Sequence, residues 1–402
     1  MTAALATGAL TLTACGSRDD GKSDSGAGDT TTVVIGVDAP LTGDLSALGV
    51  GIHNSADLAA KQANSKKYVD GVTFKVEALD DQAQPSSGQT NASKFVADKD
   101  VLGAVGPLNS NVAESMQKVF ADGNLVEVSP ATTNPSLSQG QDWNGGTKKR
   151  PYASFFRTCT TDAVQGPFGA QYLYNKAKRK SVFVIDDKKT YGAGLAGTFK
   201  AEFAKLGGKI AGTEHINPDT KDFSAVVTKV KSSGADLVYY GGEYPAGGPL
   251  SKQLKSAGVD APVAGGDALD SDEFIKLAGG KNDGDFATSV GLPIEKLDSA
   301  KEFISAYKKA GYKDPYETYG GYAYDSTWSV VEAVKKVVDG NDGKLPDDAR
   351  EQVAKAMQDV SFDGVTGAVS FDKYGDTTNK QLTVYQVKSG LFTPVESGKF
   401  GG

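Results

Sequence analysis

From residue 32 to about residue 277 the chain alternates short apolar runs with amphipathic segments of helical length, almost without pause. Residues 32–37 read as a strand, and Ile52, Ala56, Ala59 and Ala63 mark the helix after it. The next pairs are 72–80 with 87–98 and 101–105 with 111–121, where Val112, Met116, Val119 and Phe120 recur at helical spacing. Leu125, Val126 and Val128 form a short strand ending at Ser129-Pro130, and a polar loop over 139–150 precedes 152–157. A second run pairs 181–185 with 194–206, 209–216 with 223–232, 236–240 with 248–257 and 262–265 with 272–277. Such alternation predicts an α/β architecture of parallel sheets covered by helices. Beyond residues 286–292, helices are expected at 299–310, 319–338 and 347–358, and 365–395 reads as a β-rich tail with hairpin turns.

Open sheets of this kind bind ligands at the carboxyl ends of their strands, beside helix N-termini. The stretch 106–135 holds two hydroxyl-rich loops of that type, one around Ser110 and one around Thr132 and Thr133. Ser110 stands at an N-cap position, where its hydroxyl either closes the helix or joins free backbone N–H groups in holding an anion.

At 402 residues the chain is long enough for two domains or lobes. Its net charge of −7, with no basic cluster, argues against a nucleic-acid surface. Only two histidines, His53 and His215, and two cysteines, Cys15 and Cys159, are present, too few for a His- or Cys-based metal site. Residues 2–14 form an apolar run too short to span a membrane, with small residues near its end, like the core of a signal peptide. No basic segment precedes it, so the natural start is expected upstream of Met1. Leu12-Thr13-Ala14-Cys15 resembles a bacterial lipobox, whose cysteine is lipidated. Residues 1–15 are therefore expected to be a signal peptide, and the polar, Gly- and Ser-containing segment 16–31 a flexible tether.

Gly192, Gly194 and Gly197 fit a G-x-G-x-x-G pattern after a strand, with Glu214 in the strand that follows, and invite a dinucleotide reading. That site needs its first glycine at the strand end, whereas the polar or bulky residues 186–191 intervene. Helix initiation and close helix–strand packing explain these glycines better.

The segments APLTGDLSALG (39–49), AVGPLNS (104–110), VSPATTNP (128–135), DDKKTYGAGLA (186–196), VYYGGEYP (238–245) and GGDALDS (265–271) resemble the type I periplasmic binding proteins. The likeness is strongest to their leucine/isoleucine/valine-binding branch and covers nearly the whole chain after the tether. It implies two Rossmann-like lobes with parallel sheets joined by a three-segment hinge near 158–160, 290 and 371. Lobe 1 would be 32–158 plus 290–370, and lobe 2 159–289 plus 371–402. It further implies that Ser110 and Thr133 hold a ligand carboxylate and that the Ala131 carbonyl accepts from an ammonium. Asp267 would pair with that ammonium, and Tyr191 would close over the ligand from lobe 2.

This chain departs from the branch at several positions. Glu243 and Leu48 stand where relatives carry aromatic residues, and the positions of Ala83 and Asn109, bridged by a disulfide in some members, cannot be bridged here. Glu243 joins the candidate ligand contacts; it is expected to sit at the wet rim, to pair with a lysine, or to meet a donor on the ligand side chain, which would make the ligand more polar than leucine. The resemblance implies a non-enzymatic solute-binding lipoprotein of an ABC importer, needing no cofactor or metal. Its partners would be a small molecule (an amino acid), the permease subunits, and the outer face of the cytoplasmic membrane through lipidated Cys15. The alternatives are a receptor for an amide, urea-like or other small carboxylate solute, and, remotely, an NAD-dependent dehydrogenase.

Overall fold

A computed structural model gives the structure of residues 30–401; Cys15, the signal peptide and nearly all of the tether lie outside the described residues. The first half builds β1 (Thr31–Ala39), α1 (Ser46–Ser65), β2 (Val72–Asp80), α2 (Pro85–Ala97), β3 (Val101–Val105), α3 (Ser110–Asp122), β4 (Val126–Ser129), α4 (Ser136–Gln139) and β5 (Phe155–Arg157). These five strands form one parallel sheet in the order β2-β1-β3-β4-β5. Every residue of β3 is buried, as expected of a strand covered on both faces. Val33, Ile35 and Val37 pack with Ile52, Ala56 and Val330, while Val101 and Ala104 meet Phe95, Met116 and Phe120 on the other face.

The chain then builds α5 (Asp162–Asn175), β6 (Ser181–Asp186), α6 (Thr190–Lys205), β7 (Lys209–His215), α7 (Ser224–Ser233), β8 (Leu237–Gly241), α8 (Tyr244–Ser256), β9 (Val263–Gly265), α9 (Asp272–Leu277) and β10 (Phe286–Ser289). It returns to the first lobe with α10 (Lys301–Ala310), α11 (Gly320–Gly340), α12 (Ala349–Ala356) and the hairpin of β11 (Ser361–Gly364) and β12 (Gly367–Ser370). A last crossing leads to β13 (Gln381–Lys388) and β14 (Leu391–Lys399). The second sheet runs β14-β13-β10-β9-β8-β6-β7, parallel from β7 to β10 and antiparallel beyond. The expected mixture of parallel α/β lobes and a hairpin-rich tail is the observed one.

Two helices are absent from the sequence reading, the single turn α4 and the longer α5. Gly166, Pro167 and Gly169 lie inside α5, and such residues disfavour a helix interior. Packing overrides that preference. A Cβ on Gly166 would sit 2.2 Å from Thr198 Oγ1 and 2.8 Å from the Phe199 nitrogen, so the missing side chain lets α5 lie directly on α6. The glycine pattern has a similar explanation. α6 begins at Thr190 rather than at 194, which places Gly192, Gly194 and Gly197 inside the helix and not in a loop ahead of it. A Cβ on Gly192 would lie 2.5 Å from the Gly241 carbonyl of β8. Glu214 pairs with Lys229. Gly192 and Gly194 serve close packing, a Cβ on Gly197 would meet nothing within 4 Å, and the dinucleotide reading has no phosphate loop to rest on.

Candidate ligand-binding site

The order of each sheet reverses once, between β1 and β3 in the first lobe and between β6 and β8 in the second. At such a switch point the loops leaving two neighbouring strands diverge and open a crevice. Here the two crevices face each other across one cleft. A cavity between them, about 20 Å3 in free volume, takes Leu45 and Leu48 from the segment after β1, Leu108, Asn109 and Ser110 after β3, and Ala131 after β4. The second lobe contributes Tyr191 after β6, Glu243 after β8 and Ala268 after β9, and Tyr319 enters from the crossing segment before α11. Of the six ligand contacts expected from sequence, Ser110, Ala131, Tyr191 and Glu243 therefore line one cavity, with Thr133 and Asp267 buried in the structure around it.

Ser129 shapes the loop that carries Ala131. Its Oγ accepts from the Ala131 and Thr132 nitrogens and donates to the Pro107 carbonyl at 2.9 Å, tying the loops after β3 and β4 together. Arg157, fully buried, holds the same loop from below: Nη1 donates to the Thr132 and Asn134 carbonyls, Nε to Asp376 Oδ1 at 2.6 Å, and Nη2 to the Ser138 hydroxyl. Burial alone would raise the Asp376 pKa, but Arg157 and neighbouring donors hold it below the usual value. Ser110 is the first residue of α3 rather than its cap. Asn109 holds the cap position with extended backbone and makes no side-chain cap bond, and Ser110 Oγ accepts from the Asn134 nitrogen at 3.4 Å. The Thr133 hydroxyl, wholly buried, has no hydrogen-bond partner among the described residues.

Asp267 is also wholly buried. Its Oδ1 accepts from Tyr191 Oη at 2.8 Å and Gln165 Nε2 at 3.0 Å, and its Oδ2 from Tyr319 Oη at 2.7 Å. Burial raises its pKa against the pull of those donors. Gln165 Nε2 also donates to Asp162 Oδ1 at 3.0 Å, and burial together with the Asp267 charge pushes Asp162 up to about 8. Sequence reading missed Tyr319, Gln165 and Asn109 as site residues. Tyr319 reads only as a helix start, Gln165 lies on the unread α5, and Asn109 sits beside Ser110 in the quoted segment without a local signal of its own.

Glu243 spans the cleft. Its Oε2 accepts from Lys189 Nζ at 2.7 Å, within lobe 2, and its Oε1 accepts from Asn109 Nδ2 of lobe 1. Burial would lower the Lys189 pKa, yet Glu243 holds it above the usual value. Other bonds cross the same gap: Thr190 Oγ1 to Glu114 Oε2 at 3.0 Å, Asn134 Nδ2 to the Thr190 carbonyl at 2.5 Å, and Tyr244 Oη to the Asp44 carbonyl at 2.6 Å. Cys159 is a free, buried thiol with Sγ 3.5 Å from the Thr132 carbonyl, and burial pushes its pKa up. Among the described residues no group of three or more His, Cys, Asp or Glu is placed to hold a metal, and no helix is long and apolar enough to cross a membrane.

A family model for periplasmic binding proteins matches residues 32–391. The chain is 32% identical over 359 residues to Leu/Ile/Val-binding protein homolog 1 of Brucella suis biovar 1, covering 89% of this chain and 91% of that protein. It is 31% identical over 365 residues to the Leu/Ile/Val-binding protein BraC3 of Rhizobium johnstonii, covering 90% and 94%. The crystal structure of the branched-chain amino acid transporter substrate binding protein LivJ from Streptococcus pneumoniae, in complex with isoleucine, is similar with a TM-score of 0.80 at 25% identity, covering 92% of this chain and 99% of that one. Two facing α/β lobes around one polar and apolar cleft are the architecture of the substrate-binding proteins of transporters. The chain belongs to the periplasmic binding protein family, type I, in its branched-chain amino acid branch.

Proposed function

We propose that this protein is the extracytoplasmic receptor of an ABC importer and captures an α-amino acid, of the branched-chain type or a more polar relative, between two closing lobes. The observation that carries the reading is the meeting of both switch points at one cavity, with an anion-binding helix start on one side and a buried carboxylate on the other. Lobe 1 comprises 32–158 plus 290–370, and lobe 2 comprises 159–289 plus 371–402. The ligand carboxylate meets Ser110, the start of α3 and the unpartnered Thr133 hydroxyl, because helix N-termini and hydroxyls favour anions. The ammonium meets the Ala131 carbonyl and the negative field of Asp267, which low-dielectric surroundings leave poorly screened. Tyr191 and Tyr319 transmit and orient that charge through their hydroxyls.

Anchoring at the outer face of the cytoplasmic membrane follows from a lipidated Cys15 and the tether 16–31. Metabolic labelling with a radioactive fatty acid should mark the wild type and not Cys15→Ala; an unlabelled wild type removes the anchor. A second reading, a receptor for an amide, urea-like or other carboxylate solute, draws on Asn109 and Glu243 at one end of the cavity. A thermal-shift screen of the purified protein separates the two. A ligand that binds only the native state at a hundred times its Kd adds about 2.7 kcal/mol of stability. If amides or simple carboxylates raise the melting temperature and no amino acid does, the second reading replaces the first.

A further inference from the structure

Glu243 and Leu45 line two cavities at once. Besides the narrow one between the lobes, they border a larger space of about 350 Å3, whose other walls come from the segments after β1 and β2 and, across the cleft, after β6 and β7. β2 and β7 are the sheet edges farthest from the crossings at β5 and β10, so this space is the mouth of the cleft. Its charges are unbalanced. Asp44, Asp187, Asp219 and Glu243 border it, against Lys189 alone. Lys221, which pairs with Asp44 at 3.5 Å, stands at the exposed rim. Asp187 is pushed up to about 7, by burial first and by the Glu243 charge next, which reports the same shortage of positive charge.

The partition between the two cavities is the string Asn109–Glu243–Lys189. One of its atoms is unspent: Asn109 Oδ1 is buried and has no hydrogen-bond partner among the described residues. We propose that the two cavities form a single two-chambered site, gated by this string, whose preferred ligand is an α-amino acid with an aliphatic stem and a cationic end, of arginine or ornithine chemistry. The inference rests on the amino-acid reading above and specifies its ligand class.

As it stands the inner chamber, about 20 Å3, has room for little more than a water, so the lobes part to admit the head group, which then occupies it. The stem runs along Leu45, Leu48 and Leu108, and the cation reaches Glu243 and Asn109 Oδ1, two acceptors suited to the several donors of a guanidinium. Lys189 gives up Glu243 in that complex without becoming a stranded charge, because Asp187 and Asp219 also attract it. A leucine side chain would fill the stem position only. It would leave the Asn109 oxygen buried and unpaired and the mouth with its surplus of carboxylates.

Isothermal titration of the purified protein with leucine, arginine and citrulline tests this, because citrulline keeps the length of arginine without its charge. Arginine should bind at least tenfold more tightly than either of the others. Asp187→Asn and Glu243→Gln, each checked for a native melting transition, should lower the ratio of arginine to leucine affinity at least fivefold. Leucine binding as tightly as arginine, or citrulline matching arginine, overturns the cationic class and leaves the amino-acid reading standing. Binding of none of the three overturns the cationic class, and the thermal-shift screen above then decides the amino-acid reading separately.

Discussion

Asp267 is enclosed completely, yet both of its oxygens have donors, and these donors come from three separate segments: Gln165 of α5, Tyr191 of α6 and Tyr319 before α11. Asparagine at this position offers one oxygen where the carboxylate offers two, and it carries no charge. Asp267→Asn should therefore weaken amino-acid binding by about 2–5 kcal/mol, the range for truncating one side of a desolvated charge pair; unchanged affinity by calorimetry would remove Asp267 from the site. Its neighbour Asp162 gives a stability signature. The folded-state pKa of about 8 stands above the ordinary 3.8, so the native state retains a proton that the unfolded chain releases first. That contribution is complete at low pH, declines as pH rises between those two values, and is gone above about 8. Melting temperatures measured from pH 5 to 9 should fall less steeply for Asp162→Asn than for the wild type, and parallel slopes would sink the assignment. That Ser110, Ala131, Tyr191 and Glu243 gather at one cavity was legible because they lie in segments with a family likeness. Gln165 was not, since its function depends on a helix that its own neighbours, Gly166 and Pro167, argue against.

Among the elements, α6 has the most divided role. Its first turns face β8 through Gly192, face the cavity through Tyr191, and approach lobe 1 through Gly194. A Cβ on Gly194 would stand 2.4 Å from Asn134 Nδ2, an atom of the opposite lobe. Within its own helix the same substitution is favourable, because glycine costs about 1 kcal/mol relative to alanine in a helix interior. The two effects separate the states. Gly194→Leu should leave the melting temperature of the ligand-free protein unchanged or raised, and should weaken ligand binding by about 1–3 kcal/mol through overpacking of the closed cleft. Wild-type affinity in this variant would show that α6 and the loop at Asn134 need not meet. Apart from α4 and α5, strand and helix existence was readable from periodicity in the parallel portions, and α9 was placed at its observed bounds, Asp272–Leu277. The early starts of α6 and α8 were not readable, because their first turns are rich in glycine and proline and owe their helical form to what they pack against.

At the scale of the molecule, the chain passes between the sheets three times, and those crossings are tied to the site. Arg157 joins the loop beneath Ala131 and Thr133 to Asp376 in the last crossing, and Thr158 Oγ1 donates to the Tyr322 carbonyl beside the second. The crossings thus share residues with the floor of lobe 1, while the contacts at the mouth are different in kind. Asn109 to Glu243, Thr190 to Glu114 and Tyr244 to the Asp44 carbonyl each join groups from opposite lobes, and several of these partners are at least partly exposed. Bonds of that sort contribute about 0.5–1.5 kcal/mol each over solvation by water. On the proposed reading, a ligand bridging Ser110 and Thr133 on one lobe and the surroundings of Asp267 on the other would favour the closed arrangement, which would make binding and closure one equilibrium. Small-angle scattering should therefore give a smaller radius of gyration at saturating ligand than without it. Gly194→Leu should keep the larger radius at ligand concentrations that close the wild type. A profile that does not change with ligand in the wild type would mean a rigid pocket, and the cross-cleft bonds would then be permanent structure rather than the latch of a trap.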